Sequence, residues 1–461
     1  MSGEHPVEVL VIETPSLGDR SYVVTDGETG VVIDPQRDID RVLAITEPAG
    51  IEISHVLETH IHNDYITGGH ALAQRTGADY LVSAADNVSF DRTPVQDGDG
   101  FRSGSMRLRA IATPGHTFTH LAYVVETETG EAMGVFTGGS LLYGSTGRPD
   151  LLGAEHAATL ARHQHASAHR LVHELPGATP LYPTHGFGSF CSARQAQGTA
   201  STLAQEQQTN FVLTMDEASY VSELLDGLDT YPAYYGRMAQ ANAEGPAEPD
   251  LRPLKDEASS ELQRRIHAGE WVIDLRPRSD FAAGHLAGSI NIGLDGNFIS
   301  YLGWLLKPEE SITLLADTAE AIAAAQRDLV RIGMGRPAAV ATGHPEAWSG
   351  TAPLATLRTS TFADLSRARS ESARAQVVLD VRRDGERRIS AVAGSMHIPL
   401  HELLQRMDEV PTEQPVWVHC AAGYRAAIAA SLMARAGRTV TAIDDVFESA
   451  SVAGLFDHDS R

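Results

Sequence analysis

The sequence predicts a multidomain α/β chain. Its N-terminal half carries histidine loops at strand ends, and its C-terminal half is one α/β unit used twice. Three observations predict this. β-rich runs in the first half end repeatedly in loops that hold histidine. In the second half Trp271-Val272-Ile273-Asp274-Leu275-Arg276 matches Val377-Val378-Leu379-Asp380-Val381-Arg382, and Gly288-Ser289-Ile290-Asn291-Ile292 matches Gly394-Ser395-Met396-His397-Ile398 at the same offset. Between the halves lies Ala243-Glu244-Gly245-Pro246-Ala247-Glu248-Pro249-Asp250, a small, acidic, proline-rich stretch with linker character. At 461 residues the chain has room for about three domains of typical size.

Composition narrows the function classes. With 42% hydrophobic and 21% charged residues the chain is an ordinary globular one. A formal net charge of -24 opposes non-specific binding to nucleic acid or to an anionic membrane. Two cysteines, Cys191 and Cys420, make no disulfide framework and indicate a reducing compartment. Met1 to Val11 has neither a basic n-region nor a long apolar h-region, and no apolar run reaches membrane-spanning length. The expectation is a cytoplasmic protein without nucleic-acid or membrane partners.

In the N-terminal half, Val7 to Ile12, Ser21 to Thr25 and Gly30 to Asp34 are short β-rich runs separated by turn residues, an antiparallel meander. Ile39 to Ala49 reads as a helix and Ser54 to Glu58 as the next strand. That strand delivers Thr59-His60-Ile61-His62-Asn63-Asp64-Tyr65, ahead of a helix from His70 to Thr76. A His-x-His-x-Asp cluster leaving a strand puts several metal ligands on one loop, and neutral imidazoles suit zinc or iron(II). A second histidine loop follows at Pro114-Gly115-His116-Thr117, then strands over Leu121 to Glu126 and Gly134 to Thr137 that end in Gly138-Gly139-Ser140. Tyr182-Pro183-Thr184-His185-Gly186 returns the chain toward the same end, just before Cys191, which reads either as a packing residue or as a second sulfur-handling thiol. His165, His169 and His173 recur every four residues on a helix expected over Ala157 to Leu175, and read as a solvated stripe. Thr209 to Met238 reads as helical.

In the C-terminal half, apolar runs alternating with helical segments imply a parallel sheet in each copy. In the second copy the strand Val416-Trp417-Val418 runs into His419-Cys420-Ala421-Ala422-Gly423-Tyr424-Arg425 and then into an alanine-rich helix to Ala436. A cysteine in that turn faces a helix N-terminus, whose free N–H groups and dipole favour an anion, and thiolate is the reactive form. Gly423 lets the loop turn its amides inward, and Arg425 adds a cation. The first copy carries Ile312-Thr313-Leu314-Leu315-Ala316 and then Asp317, read as standing where the second has Cys420 and as a helix cap. Asp380 and Arg382 close the second copy's first strand and read either as a brace for the loop or as a structural ion pair.

The histidine motifs, in the order His-x-His-x-Asp, Pro-Gly-His-Thr, Phe-Thr-Gly, Gly-Arg-Pro-Asp and Pro-Thr-His-Gly, resemble the metallo-β-lactamase fold, a four-layer αββα sandwich. Cys-x-x-Gly-x-Arg resembles the active-site loop of rhodanese sulfurtransferases, and the whole chain resembles metallo-β-lactamase–rhodanese fusions linked to persulfide dioxygenases. The resemblance implies a metallo-β-lactamase-like domain over 1–242, an inactive rhodanese-like domain over 252–350, and a rhodanese domain over 358–461 with Cys420, Gly423 and Arg425 as its catalytic loop. It implies a low-molecular-weight thiol persulfide as sulfur donor, sulfite or a thiol as acceptor, and assembly as a homodimer or homotetramer. Two departures stand out. Tyr65 replaces a histidine that would hold a second metal, so the expected site is mononuclear, Fe(2+) or Zn(2+). The iron ligands of the persulfide dioxygenase branch fall on His60, His116 and Gly139, and Gly139 has no side chain. The remaining readings are a three-histidine site from His60, His62 and His116, with Asp64, Tyr65, His185 and Cys191 around it, or a metal-free scaffold. Rival functions are a thioester-type metal-dependent hydrolase and a persulfide-sensing scaffold.

Overall fold

The computed structural model describes residues 6–195, 198–307, 309–371 and 374–456. The last five positions of the expected third domain lie outside them. The chain divides into two compact units, one of Met1–Asp250 with Leu329–Met334, the other of Leu251–Asp328 with Gly335–Arg461.

In the first unit, strands Glu8–Thr14, Asp19–Thr25, Thr29–Ile33, Glu52–Leu57, Asp79–Ser83 and Thr93–Val95 lie side by side in that order. The first three form the expected antiparallel meander, with Leu10 opposite Val23 and Tyr22 opposite Ile33. A second sheet holds Leu181–Pro183, Ala132–Gly138, Leu121–Glu126, Met106–Ala112 and Gly100–Ser103, in that order. Alternation along each strand decides the layering. Tyr22, Val24, Val31, Ile33 and Leu57 pack against Leu108, Ala110, Leu121, Tyr123 and Phe136 of the other sheet. Their neighbours Val23, Val32 and Val56 face the other way, onto Ile39, Val42, Ala71 and Leu72. Ala122, Val124 and Val135 likewise face Ala161, Ala168, Leu171 and Leu224. Helix, sheet, sheet, helix is the resulting order, the expected αββα sandwich. Each valine or leucine fully buried this way contributes about 1.5–3 kcal/mol.

Thr209 to Met238 is not one helical stretch. It breaks into Phe211–Thr214, Glu217–Asp226 and Tyr235–Ala243. Asn210 and Asp216 cap the first two through side-chain bonds to Val212 N and Ser219 N, and Pro232 lies in the gap before the third. The histidine stripe sits on Ala154–Glu174, with His169 and His173 exposed and His165 Nε2 on the carbonyl of Met215, 3.2 Å away.

The second unit contains the repeat as two parallel sheets. The first has the order Ile290–Asn291, Trp271–Asp274, Ile312–Ala316, Ala339–Thr342. The second runs Met396–His397, Val377–Asp380, Val416–His419, Val440–Ile443, Arg358–Ser360. The registers align the copies residue by residue, because Asp274 pairs with Leu315 as Asp380 pairs with His419. The counterpart of Cys420 is therefore Ala316, one residue before the expected Asp317. The strand lasts one residue longer in the first copy, Ile312–Ala316 against Val416–His419, so its end misplaces the register. Thr318, not Asp317, caps the helix that follows, accepting from Ala321 N at 3.2 Å.

Candidate functional site

Two centres are built from these elements. The first lies where the strands of the sandwich end. His60, His62, His116 and His185 are all at most 1% exposed. The ring centroid of His60 is 4.2 Å from that of His62 and 4.8 Å from that of His116, and His60 Nε2 faces His185 Nε2 at 3.5 Å.

Tautomers follow from the partners. Thr59 Oγ1 donates to Asp34 Oδ2, so it accepts from His60 Nδ1 at 2.9 Å and leaves His60 Nε2 bare. His116 Nδ1 donates to the carbonyl of Arg148 at 2.8 Å, and His116 Nε2 has no partner among the described residues. Burial, then neighbouring imidazoles, holds both rings neutral, His60 well below the ordinary histidine range and His116 down to about 3. Neutral rings with bare nitrogens are what a divalent metal requires.

The other two histidines are paired with acids. Burial opposes a charge on His185, but Asp64 and Asp19 outweigh it and raise the ring well up, with Nδ1 at 2.9 Å from Asp19 Oδ1 and 3.1 Å from Asp64 Oδ2. Burial likewise opposes charge on His62, yet Asp34 and Glu58 raise it to about 9, each carboxylate 3.2 Å from Nε2. Among the described residues, His62 Nδ1 and Asp64 Oδ1 are buried without hydrogen-bond partners. Buried polar atoms left this way cost about 1–3 kcal/mol each, and a ligated ion or an ordered water would relieve that cost.

Among the described residues, three groups of side chains have ligand atoms within 4.8 Å of one another: His60 with His116 and His185, His62 with Asp64 and His185, and Asp34 with Glu58 and His62. The structure thus brings His60 and His116 together as expected. It adds His185 to them, whereas His62 is gathered with acids. Tyr65 is a buried phenol stacked on His62 at 4.3 Å, its hydroxyl 3.0 Å from His62 Nε2, and burial raises it well above its ordinary range. It braces His62. Cys191 is fully buried, and burial with Asp64 and Asp19 pushes its thiol well up, so it is held protonated beside the acids. At Gly139 a Cβ would lie 2.3 Å from His116 Cδ2, so the His116 ring fills the space a carboxylate would need.

Several residues here gave no signal in the sequence. Asp34 lies at φ 50, the one non-glycine at positive φ among the described residues. Its carboxylate accepts from Thr59 N and Thr59 Oγ1, both at 2.7 Å, and from Thr184. Such a backbone costs about 1–3 kcal/mol and persists only where the surroundings fix it. Asn242 clamps the His62 loop, accepting from Thr67 N at 2.9 Å and donating to the carbonyls of His62 and Tyr65 at 2.9 and 2.8 Å. Motif reading misses both because their partners lie 25 to 180 residues away in the chain.

The second centre is the Cys420 loop, in the other unit. Cys420 follows the buried strand Val416–His419 and is 2% exposed. Gly423, at φ 87, opens the helix Tyr424–Arg435. A side chain there would be strained and would also meet Asp444 Oδ1 at 2.1 Å. Phe447 N donates to the carbonyl of Ala421 at 2.8 Å, and Val381 N to that of His419 at 3.0 Å. Arg425 does not stand free beside the sulfur. Its Nη1 and Nη2 donate to the two oxygens of Glu386 at 2.6 and 2.7 Å, and although burial opposes it, this pairing pulls the Glu386 carboxyl down to about 2. Arg382 Nη2 donates to Asp380 Oδ2 and to the carbonyl of Ser390, both at 2.7 Å.

Residues 19–185 match the metallo-beta-lactamase superfamily, and residues 258–351 and 362–450 each match the rhodanese-like domain. The chain is 28% identical over 205 residues to the human mitochondrial persulfide dioxygenase ETHE1, covering 44% of this chain and 74% of that one. It is 36% identical over 132 residues to hydroxyacylglutathione hydrolase of Rhodospirillum rubrum, covering 28% of this chain and 49% of that one. The crystal structure of a metallo-beta-lactamase from Staphylococcus aureus superposes with a TM-score of 0.65 at 26% identity, covering 74% of this chain and 99% of that one. Among the described residues no helix is long and apolar enough to cross a membrane.

Proposed function

We propose that this chain, which joins a metallo-β-lactamase domain homologous to persulfide dioxygenases to two rhodanese-like domains, is an enzyme of sulfur metabolism that transfers sulfane sulfur through Cys420. The carrying observation is the loop itself: a cysteine at a strand end, a left-handed glycine, and a helix N-terminus within four residues. Cys420 thiolate attacks the outer sulfur of a low-molecular-weight thiol persulfide. The donor's S–S bond breaks as the new one forms, and the donor thiol leaves with the proton. The uncommitted N–H groups of the first helical turn face the transferred sulfur and stabilise its charge. Sulfite or a second thiol then attacks the outer sulfur and restores the thiolate. Glu386 holds Arg425, and Asp380 with Arg382 holds the strand from which the loop leaves.

In the N-terminal domain, His60, His116 and His185, with His62 and Asp64 beside them, would hold an iron(II) or zinc ion. Such an ion supplies Lewis-acid polarisation or, as iron, redox chemistry. The chain's own part is to fix tautomers: Thr59 and the Arg148 carbonyl leave bare nitrogens on His60 and His116, and Asp19 and Asp64 keep a proton on His185 Nδ1. A second reading for this domain is thioester hydrolysis, favoured by the stretch similar to hydroxyacylglutathione hydrolase and by the missing carboxylate at Gly139.

Single-turnover transfer from a thiol persulfide to sulfite tests the first reading. Cys420→Ser abolishes it, and retained transfer would refute it. Metal content after iron(II) or zinc loading tests the second centre. About one ion per chain is expected, lost in His116→Ala; a metal content indifferent to that substitution would exclude this site.

A further inference from the structure

We infer that Arg278, a residue of the first rhodanese-like copy, positions the anionic end of the sulfur donor at the Cys420 loop, an inference that rests on the sulfur-transfer reading above. Arg278 opens the short helix Arg278–Ala283, just beyond the Asp274–Arg276 pair. Its Nε donates to Asp444 Oδ1 at 2.7 Å and its Nη1 to Asp295 Oδ2 at 3.3 Å, and Nη2 has no hydrogen-bond partner among the described residues. A Cβ built on Gly423 would lie 3.1 Å from Arg278 Nε, so the guanidinium sits on the Cys420 loop itself. Its side chain stays 31% exposed, open to a solute.

The first copy is fitted to this loop at further points. Tyr424 donates its hydroxyl to the carbonyl of Gly293 at 2.5 Å. Gly296 lies so close beneath the Tyr424 ring that a Cβ would come within 2.4 Å, and the Tyr301 ring centroid is 5.8 Å from that of Tyr424. Burial opposes the Arg278 charge, but Asp444, Asp295 and Cys420 together raise its affinity for the proton.

Charge accounting gives Arg278 its role. Arg425, the loop's own cation, spends both terminal nitrogens on Glu386. Arg278 keeps a terminal nitrogen for a ligand. Sulfane-sulfur donors bring oxyanions near the transferred sulfur, either carboxylates on the carrier thiol or the sulfonate oxygens of thiosulfate. A guanidinium suits both. The alternative is that Arg278 merely fastens the loop, which would affect all reagents at Cys420 alike.

The test is alkylation of Cys420 in the full chain by anionic iodoacetate and by neutral iodoacetamide, with the modified peptide identified by mass. Arg278→Gln should lower the iodoacetate-to-iodoacetamide rate ratio roughly three- to tenfold, the scale of a part-exposed charge pair. Arg278→Lys should keep it within about twofold. An unchanged ratio in Arg278→Gln, or equal slowing of both reagents, overturns the inference. In turnover, Arg278→Gln should raise KM with kcat held for thiosulfate, for a carboxylate-bearing persulfide, or for both, and leave an uncharged alkyl persulfide unaffected. Which anionic donor responds identifies the oxyanion, and a matching rise for the uncharged donor overturns the inference. A wild-type chain that transfers no sulfur would defeat the functional reading, while the alkylation ratio would still decide the role of Arg278.

Discussion

The two rhodanese-like copies differ less in frame than in loop. Arg276 Nη2 donates to Asp274 at 2.6 Å and to the carbonyl of Gly284, eight residues on; Arg382 Nη2 donates to Asp380 at 2.7 Å and to that of Ser390, also eight residues on. Each guanidinium lies over an aromatic ring, Trp348 at 5.0 Å and Phe447 at 3.5 Å. What differs begins where the central strand ends. Ala316 stands opposite Cys420, and the first copy reaches its helix at Ala319 without a glycine at positive φ, whereas the second turns through Gly423 at φ 87 to Tyr424. The frame is maintained by burial and ion pairing, independently of chemistry. The proposed sulfur transfer draws instead on the loop from Cys420 to Arg425.

Placing the thiol in the wrong copy is the sharpest challenge to that view. Ala316→Cys in a Cys420→Ser background restores the sulfur atom without the glycine turn. Sulfur transfer should stay at least about a thousandfold below wild type, as single-turnover assay would show. Recovery to within tenfold would mean that the loop contributes little.

A smaller effect is expected at Glu386, which anchors Arg425 and for which the first copy has Asp280. Glu386→Gln should cost about 1–3 kcal/mol of stability, since it leaves a buried guanidinium half-paired. Because the folded Glu386 carboxyl is held down to about 2, below its unfolded value near 4.3, its contribution is complete above about pH 4.3. It is lost as pH falls from there toward 2. Denaturant unfolding across that range should show the variant's deficit shrinking; a constant deficit would contradict the pairing.

The two braces should also respond differently. Burial, with Asp317 nearby, leaves the Asp274 carboxyl raised, whereas Arg382 and His419 outweigh burial and pull Asp380 down to about 2. Asp380→Asn should therefore destabilise more than Asp274→Asn, by about 1–2 kcal/mol at neutral pH. Hydrogen exchange resolved to each copy is the measurement. Equal losses would make the braces equivalent.

The sequence carries the frame and the loop well, because both are local. The β-rich runs of the meander and the repeat of Asp-x-Arg are readable without a fold. Cys420, Gly423 and Arg425 sit within six consecutive positions. The metal pocket is legible in part. His60 and His116 announce themselves by motif. The grouping of His185 with them depends on strand ends meeting in space, and so does the capture of His62 by Asp34 and Glu58. Loss of the Gly139 carboxylate is visible in sequence, but not that the His116 ring takes its place. The one-residue error over Asp317 has the same root: strand pairing, not apolar length, sets register. Arg278 has no motif, and only the packing of one copy on the other's loop brings it into view.

Intact-mass measurement after brief exposure to a thiol persulfide reads directly whether Cys420 carries the transferred sulfur. One added sulfur per chain is expected, removed by sulfite, absent in Cys420→Ser and retained in Cys191→Ser. An adduct that persists in Cys420→Ser, or no adduct on the wild-type chain, would contradict it.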